Sequence, residues 1–317
     1  MYELLINLQL YIMNWNRKLN NKSEEDFMKV LSFGSLNIDS VYKVDHIVAP
    51  GETQLSFGIN ENCGGKGLNQ SIALARAGAS VWHAGMVGSD GDILIKKCTE
   101  NGINVDFIKK TEGRSGHTII QVDKNGNNSI ILYGGANRSM TIDFIDEVLS
   151  HFESGDILIL QNEINLLDVI IDKAYERKMK IVLNPSPFDE ALLKCDMSKI
   201  SYFILNEIEG HQMTGKTTPE EILKEIQLKY PESKIVLTLG EKGSVYKDKN
   251  DFYHQDIFKV KAVDTTAAGD TFTGYFIASL IKGLNIKECL SRAAKASSIA
   301  VTRNGALDSI PTLDEVE

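Results

Sequence analysis

The chain has 317 residues, 43% of them hydrophobic and 24% charged, which fits a globular chain with a buried core and excludes both a disulfide-stapled miniprotein and global disorder. Acidic residues outnumber basic ones 43 to 34, a net charge of -9, and no dense Lys/Arg block offsets this, so neither a nucleic-acid partner nor an anionic membrane is expected. No stretch approaches the roughly 18 apolar residues of a membrane span, and Cys63, Cys98, Cys195 and Cys289 lie far apart without a CxxC pair, which reads as reduced thiols in a cytoplasmic protein without structural zinc.

In chain order, residues 1–27 come first: a partly apolar stretch over 4–13 is broken by Asn7 and Gln9 and lacks a leading basic cluster and a cleavage site. They read as an N-terminal extension, not a signal peptide. Met28 stands just before Val30-Leu31-Ser32-Phe33, the first predicted strand, and one domain is expected over 28–317. Further short apolar runs at 81–87, 157–161, 181–184, 203–206 and 235–239 alternate with helix-period segments at 68–77, 142–149, 166–175 and 219–226. Buried strands separated by helices predict an α/β fold whose mostly parallel sheet is covered on both faces. Two regions, 40–63 and 108–133, break this rhythm. The second pairs the run 118–122 with 130–132 across Asn125-Gly126, a hairpin with its turn dipeptide, so a small antiparallel flap beside the core is expected, lying over a site.

The most informative segment is Asp264-Thr265-Thr266-Ala267-Ala268-Gly269-Asp270, followed by Phe272-Thr273-Gly274-Tyr275-Phe276. Small residues feeding a helix N-terminus make an anion cradle of free N–H groups, and an acid there can take a proton from an attacking hydroxyl. Asp also caps helices, and the segment alone does not choose between a base and a cap. Gly64-Gly65-Lys66-Gly67-Leu68-Asn69-Gln70 allows close backbone approach to a ligand, but it lacks the third glycine of a dinucleotide fingerprint and no predicted strand directly precedes it. Gly210-His211-Gln212-Met213-Thr214-Gly215-Lys216-Thr217 fits the letters of a phosphate-binding P-loop. The strand 203–206 stops too early for that motif, however, and Gly215 reads as a helix stop before a new helix capped by Thr218, Pro219 and Glu221 in a capping box. The six histidines form no HxxxH or HxH pair and no Gly-x-Ser-x-Gly elbow is present, so imidazole-bound metal catalysis and serine hydrolysis lack support.

Taken together, the segments resemble the ribokinase (PfkB) family of carbohydrate kinases. The first family signature is met by Gly65, Gly67, Asn69, Ser71, Gly78 and Gly88, the second by Asp264, Ala267, Ala268, Gly269, Asp270 and Gly274. Between and around them lie Gly34-Ser35-Leu36-Asn37-Ile38-Asp39, Pro50-Gly51-Glu52-Thr53, Gly135-Ala136-Asn137, Asn184-Pro185-Ser186-Pro187, Asn206-Glu207-Ile208-Glu209 and Thr238-Leu239-Gly240-Glu241-Lys242-Gly243, in family order over 28–311. The resemblance implies a three-layer αβα sandwich with a β lid and an ATP-dependent sugar kinase, with D-ribose as the acceptor implied by the particular forms of the two signatures. Another small sugar or a nucleoside as acceptor, and a catalytically idle sugar-binding regulator, are its alternatives.

Carried over by residue, the resemblance implies Asp270 as the catalytic base, with Gly269 and Ala268 N–H groups in the anion hole. It implies Asn37, Asp39, Gly65, Lys66, Gly67, Asn69 and Glu163 around the sugar. Asn206 and the loop Thr238, Leu239, Gly240, Glu241, Lys242 and Gly243, with Gly269, would meet the nucleotide. Glu209 would organise the water shell of Mg2+, and Asp264, Thr266, Ala300, Arg303, Gly305 and Ser309 would hold K+ beside the anion hole. A homodimer through the lid is implied as well. Read singly, Glu163 is also a surface strand-end acid, Asn184 a turn former and Arg303 a solvated helix-end charge. Tyr275-Phe276 and Ala294 depart from the family pattern, at the catalytic helix and near the adenine respectively.

Overall fold

The structure, a computed structural model, describes residues 28–317; the expected extension 1–27 lies outside the described residues. In chain order the strands are β1 (Val30–Phe33), β2 (Asn37–Lys43), β3 (Gly58–Gly64), β4 (Val81–Val87), β5 (Asn104–Lys110), β6 (Gly116–Val122), β7 (Asn128–Tyr133), β8 (Ile157–Gln161), β9 (Lys180–Asn184), β10 (Tyr202–Asn206), β11 (Lys234–Thr238), β12 (Ser244–Lys247) and β13 (Phe252–Gln255). The principal helices are α1 (Lys66–Arg76), α2 (Asp92–Glu100), α3 (Ile142–Leu149), α4 (Leu167–Glu176), α5 (Glu207–Thr214), α6 (Pro219–Lys229), α7 (Ala268–Ile281) and α8 (Ile286–Ala300).

Nine strands form the main sheet in the order β13-β12-β11-β10-β9-β8-β1-β4-β5, with every neighbouring pair parallel except β11–β12 and β12–β13, so that β12 alone runs against the rest. Its central strands are apolar on both faces because both are covered. Leu158 and Leu160 face a core shared with Phe144, Ile170 and Ile222 of α3, α4 and α6. Ile157 and Ile159 face a second core with Leu68, Leu94, Phe276 and Cys289 of α1, α2, α7 and α8. The expected three layers follow from that alternation. The main-sheet strands that were not anticipated, β5, β12 and β13, are those at the sheet margins, where half-exposed sequences such as Phe252-Tyr253-His254-Gln255 carry no continuous apolar run.

Four strands form a small second sheet in the order β3-β2-β6-β7. The β2–β3 and β6–β7 pairs are antiparallel, joined by a parallel β2–β6 pair. The hairpin across Asn125-Gly126 forms as expected. One lid boundary shifts: Ile108 to Lys110 pair with β4 in the main sheet, so the second lid segment begins at Gly116. A second correction concerns Gly64-Gly65-Lys66-Gly67, which does directly follow a strand, because β3 ends at Gly64 and α1 begins at Lys66. β3 runs through exposed, largely polar residues 60–62, which gave no strand signal. Among the described residues no helix is long and apolar enough to cross a membrane.

Candidate active site

Parallel strands bring their carboxyl ends to one rim, so the residues just after β1, β8, β10 and β11 gather there. The second group comes from α1 and α7, which cross closely enough that a Cβ on Gly274 would lie 2.4 Å from Ala73 Cβ and 2.8 Å from the Leu74 nitrogen. One turn before that crossing on α7 stands Asp270, and one turn before it on α1 stand Asn69 and Gln70. Asn69 Nδ2 donates to Asp270 Oδ2 at 2.9 Å and Gln70 Nε2 donates to Oδ1 at 2.9 Å. Asp270 is therefore not the helix cap. Ala267 holds that position with φ 57° and no side-chain cap bond.

Of the two N–H groups expected at an anion hole, that of Ala268 donates to Thr265 O at 3.2 Å, whereas that of Gly269, like that of Asp270, finds no acceptor among the described residues. A Cβ on Gly269 would meet nothing within 4 Å, so the first turn of α7 is open on that side. Two free N–H groups at the positive end of a helix, beside a carboxylate, can hold a phosphoryl oxygen while the acid faces a hydroxyl.

Glu163, just after β8, accepts from Ser35 Oγ and from Lys66 N at 3.0 Å, which corrects the surface-acid reading: it ties the β1 end to the α1 start. Gly67 lies against this junction, where a Cβ would stand 2.4 Å from the Ser35 nitrogen. Burial pushes the Glu163 carboxyl above its ordinary range, against the pull of Lys66 and of its hydrogen bonds. For the Lys66 ammonium burial acts downward, but the negative charges of Asp270, Glu163 and Glu209 outweigh it and raise its pKa. Asp39 is raised by burial, opposed by the 2.6 Å bond from Thr118 Oγ1. Gly64 makes room for that carboxylate, since a Cβ there would be 1.9 Å from Asp39 Oδ2. Asn37 Oδ1 accepts from Asn137 Nδ2 at 2.7 Å.

A cavity of about 280 Å3 opens between the main sheet's rim and the lid, lined by Asn37, Asn137, Glu163, Arg138, Leu132 and Tyr133. Of the predicted sugar-side residues, Asn37 and Glu163 line it. Asp39, Gly65, Lys66, Gly67, Asn69 and Asp270 lie outside that lining; Lys66 connects to it through its N–H bond to Glu163 and interacts by charge with Asp270, which Asn69 bonds.

Among the residues expected to meet the nucleotide and its metal, Asn206 and Glu209 cap α5 reciprocally: Asn206 Oδ1 accepts from Glu209 N at 2.9 Å and Glu209 Oε2 accepts from Asn206 N at 3.0 Å. Glu209 is buried, with Oε1 unengaged by hydrogen bonds among the described residues. Thr238 ends β11 and Gly240, Glu241 and Lys242 make a 3-10 turn closed by Leu239 N to Gly243 O at 2.8 Å. Leu239 is 7% exposed and packs in the core, so it offers a ligand backbone only. The P-loop letters fall on α5 and its Gly215 C-cap (φ 72°), as expected of a decoy. The next helix is capped by Thr218 accepting from Glu221 N at 3.3 Å, but the expected box is incomplete: the Glu221 carboxylate bonds the Thr218 hydroxyl instead of its N–H.

Asp264 joins two loops, accepting from Thr266 N at 2.9 Å and Gly305 N at 2.9 Å. Burial alone would raise this carboxyl, but bonds from Thr266 and Gly305 hold it below its ordinary value. Ala300 O accepts from Arg303 N at 3.0 Å, Arg303 pairs with Glu315, and buried Ser309 Oγ donates to Ala306 O at 2.7 Å. The carbonyl oxygens of Asp264, Thr266, Arg303 and Gly305 accept no hydrogen bond among the described residues. The two departures on α7 pack into the core: Tyr275 is fully buried with its hydroxyl donating to Pro311 O at 2.8 Å, and Phe276 stacks on Phe272. Ala294 lies partly buried on α8 against the second core.

Sequence reasoning gave no role to Gln70, Asn137, Thr118, Tyr133 or Arg138. Gln70 and Asn137 sit inside quoted motifs, and a buried amide beside an acid was the available signal. Tyr133 and Arg138 reach the cavity only because β7 pairs His117 with Tyr133 at the lid base, which no local pattern announces.

Comparison with known proteins matches residues 28–313 to the pfkB family carbohydrate kinases. The chain is similar to a ribokinase of Staphylococcus aureus, 35% identical over 91% of this chain and 98% of that one. It is similar in structure to a ribokinase from Thermotoga maritima, with TM-score 0.83 and 34% identity over 92% of this chain and 98% of that chain. An Arabidopsis thaliana ribokinase solved with ribose and ATP superposes with TM-score 0.81 at 28% identity, covering 91% of this chain and 97% of that one.

Proposed function

Since the chain belongs to the pfkB family of carbohydrate kinases, we propose that it is a ribokinase, converting D-ribose and ATP to ribose 5-phosphate and ADP in the cytoplasm. The observation that carries the reading is the Asp270 carboxylate held by two amides directly beside the free Gly269 and Asp270 N–H groups. Each carboxylate oxygen retains a lone pair beyond its amide bond, so Asp270 can take the proton of the ribose 5-hydroxyl. That oxygen then bonds the γ-phosphorus as the bond from phosphorus to the ADP oxygen breaks, and the helix N–H groups stabilise the transferring group. Asn37, Asp39, Gly65, Lys66, Gly67, Asn69 and Glu163 grip the sugar; Asn206 and residues 238–243 with Gly269 meet the nucleotide. Buried Glu209, with an oxygen left over from its cap, suits a water of nucleotide-bound Mg2+, which would neutralise phosphate charge.

The decisive assay is ADP release from ATP with a panel of ribose, 2-deoxyribose, ketohexoses and nucleosides. D-ribose should give the highest kcat/KM, and no turnover with ribose would sink the reading.

K+ fits the Asp264 loops, where unengaged carbonyl oxygens of Asp264, Thr266, Arg303 and Gly305, with Ala300 and Ser309 beside them, offer the hard oxygen donors such a cation takes. It would order the 264–268 turn that precedes the anion hole. Replacing sodium by potassium should raise kcat several-fold; equal rates in both salts would remove the proposed site.

The lid supports homodimerisation. Strand register places Ile130 and Leu132 on the same face as Asn37 and Asp39, and they are 56% and 44% exposed. Two lids packed on these residues would bury apolar surface and wall the sugar site. Sedimentation should report a dimer that Ile130→Asp converts to monomer; a wild-type monomer at assay concentration would refute it.

A further inference from the structure

We infer that Gln70, supported by Gln161, is a positioning residue that keeps the Asp270 carboxylate turned toward the acceptor hydroxyl. The inference rests on the kinase reading above and adds to it a line of amides whose far member, Gln161, lies in no sequence motif. Gln161 Nε2 donates to Gln70 Oε1 at 2.6 Å, and Gln70 Nε2 donates to Asp270 Oδ1 at 2.9 Å. Gln70 and Gln161 are 0% exposed.

The polarity of the line is dictated from its catalytic end. An ionised carboxylate only accepts, so Gln70 must present its NH2 to Asp270. Its carbonyl then faces Gln161, which must present NH2 in turn. The acceptor left over, Gln161 Oε1, has no hydrogen-bond partner and lies against Gly34, where a Cβ would come within 2.4 Å of it. An unpaired buried acceptor is unfavourable, and here it is displaced two residues away from the carboxylate, where it does not repel the reacting charge. A glycine at 34 is what admits Gln161 to this place.

The charged groups facing Asp270 are Lys66, in the first turn of α1, and Glu163, after β8. Lys66 and Glu163 act on it with opposite sign, and Glu209 acts through Lys66. Gln70 is therefore a neutral donor whose contribution is separable from those charges. Removing it takes one of the two amide hydrogen bonds from the carboxylate and leaves the side chain free to turn away from the acceptor hydroxyl.

The test is steady-state kinetics of Gln70→Met and Gln161→Met with D-ribose and ATP, each variant checked by thermal melting. Gln70→Met should lower kcat about tenfold or more and leave both KM values within about twofold. Gln161→Met, which touches no reacting group, should lower kcat in the same way by less. A purely structural role would raise KM and lower the melting temperature along with kcat, and that result, or an unchanged kcat, overturns the inference. Should Gln70→Met not fold, an unchanged kcat in Gln161→Met does the same. A wild-type protein inactive on every sugar would instead sink the kinase reading, so the two failures are distinct.

Discussion

Asp270→Asn is expected to lower turnover at least about a hundredfold, the ordinary contribution of a positioned general base, while nucleotide binding persists. The substitution keeps the shape of the side chain and removes its ability to accept a proton. It should also fold. Asparagine at 270 presents one NH2 to its neighbours, and Asn69 has an unpartnered Oδ1 that can turn to receive it, so both amide contacts can survive. Calorimetric titration with ATP and a thermal melt would confirm an intact nucleotide site and fold. Near-normal turnover by such a folded protein would remove Asp270 from the chemistry.

The second large effect is on stability, and two influences oppose each other in it. Gly274→Ala in the middle of α7 should help the helix by about 1 kcal/mol on intrinsic propensity. Packing acts the other way: the added Cβ would stand 2.4 Å from Ala73 Cβ and 2.8 Å from both the Ala73 carbonyl carbon and the Leu74 nitrogen. Those two backbone atoms cannot rotate away, so α1 and α7 must separate. Overpacking of this kind costs about 1–3 kcal/mol, and at distances this short it should exceed the propensity gain. Urea unfolding is expected to show a net loss, together with reduced kcat because the crossing also sets the reach of Asn69 and Gln70 to Asp270. A variant as stable as the wild type would show that the helices part without cost.

How much of this was legible follows from the physics of each part. The central strands were readable because burial on both faces leaves runs such as Ile157-Leu158-Ile159-Leu160. The marginal strands β5, β12 and β13 were not, because one polar flank is tolerated there and neighbours decide the pairing. In the site, Asp270 and Asn69 stood out in segments whose small residues let a backbone approach a ligand, and Lys66 entered through the family resemblance. Which N–H groups are free was not, because that depends on whether Ala268 turns back onto Thr265. Gln161 was hidden for another reason: it ends a strand 91 positions from Gln70, and only the close passage of β8 by α1 makes the two amides meet.

The attachment of the small sheet sets its mechanics. Asn37 pairs with both Gly64 and Gly116, and His117 with Tyr133, so all four strands join the main body at one end. The opposite end, with Lys43, Val122 and Asn128, carries only the turns and the 44–57 loop. The sheet is thus a lever whose fulcrum carries Asn37 and sits beside Glu163 and Gly65. A ligand seated at a fulcrum moves little itself, yet a slight rotation there sweeps the far tip through a wide arc.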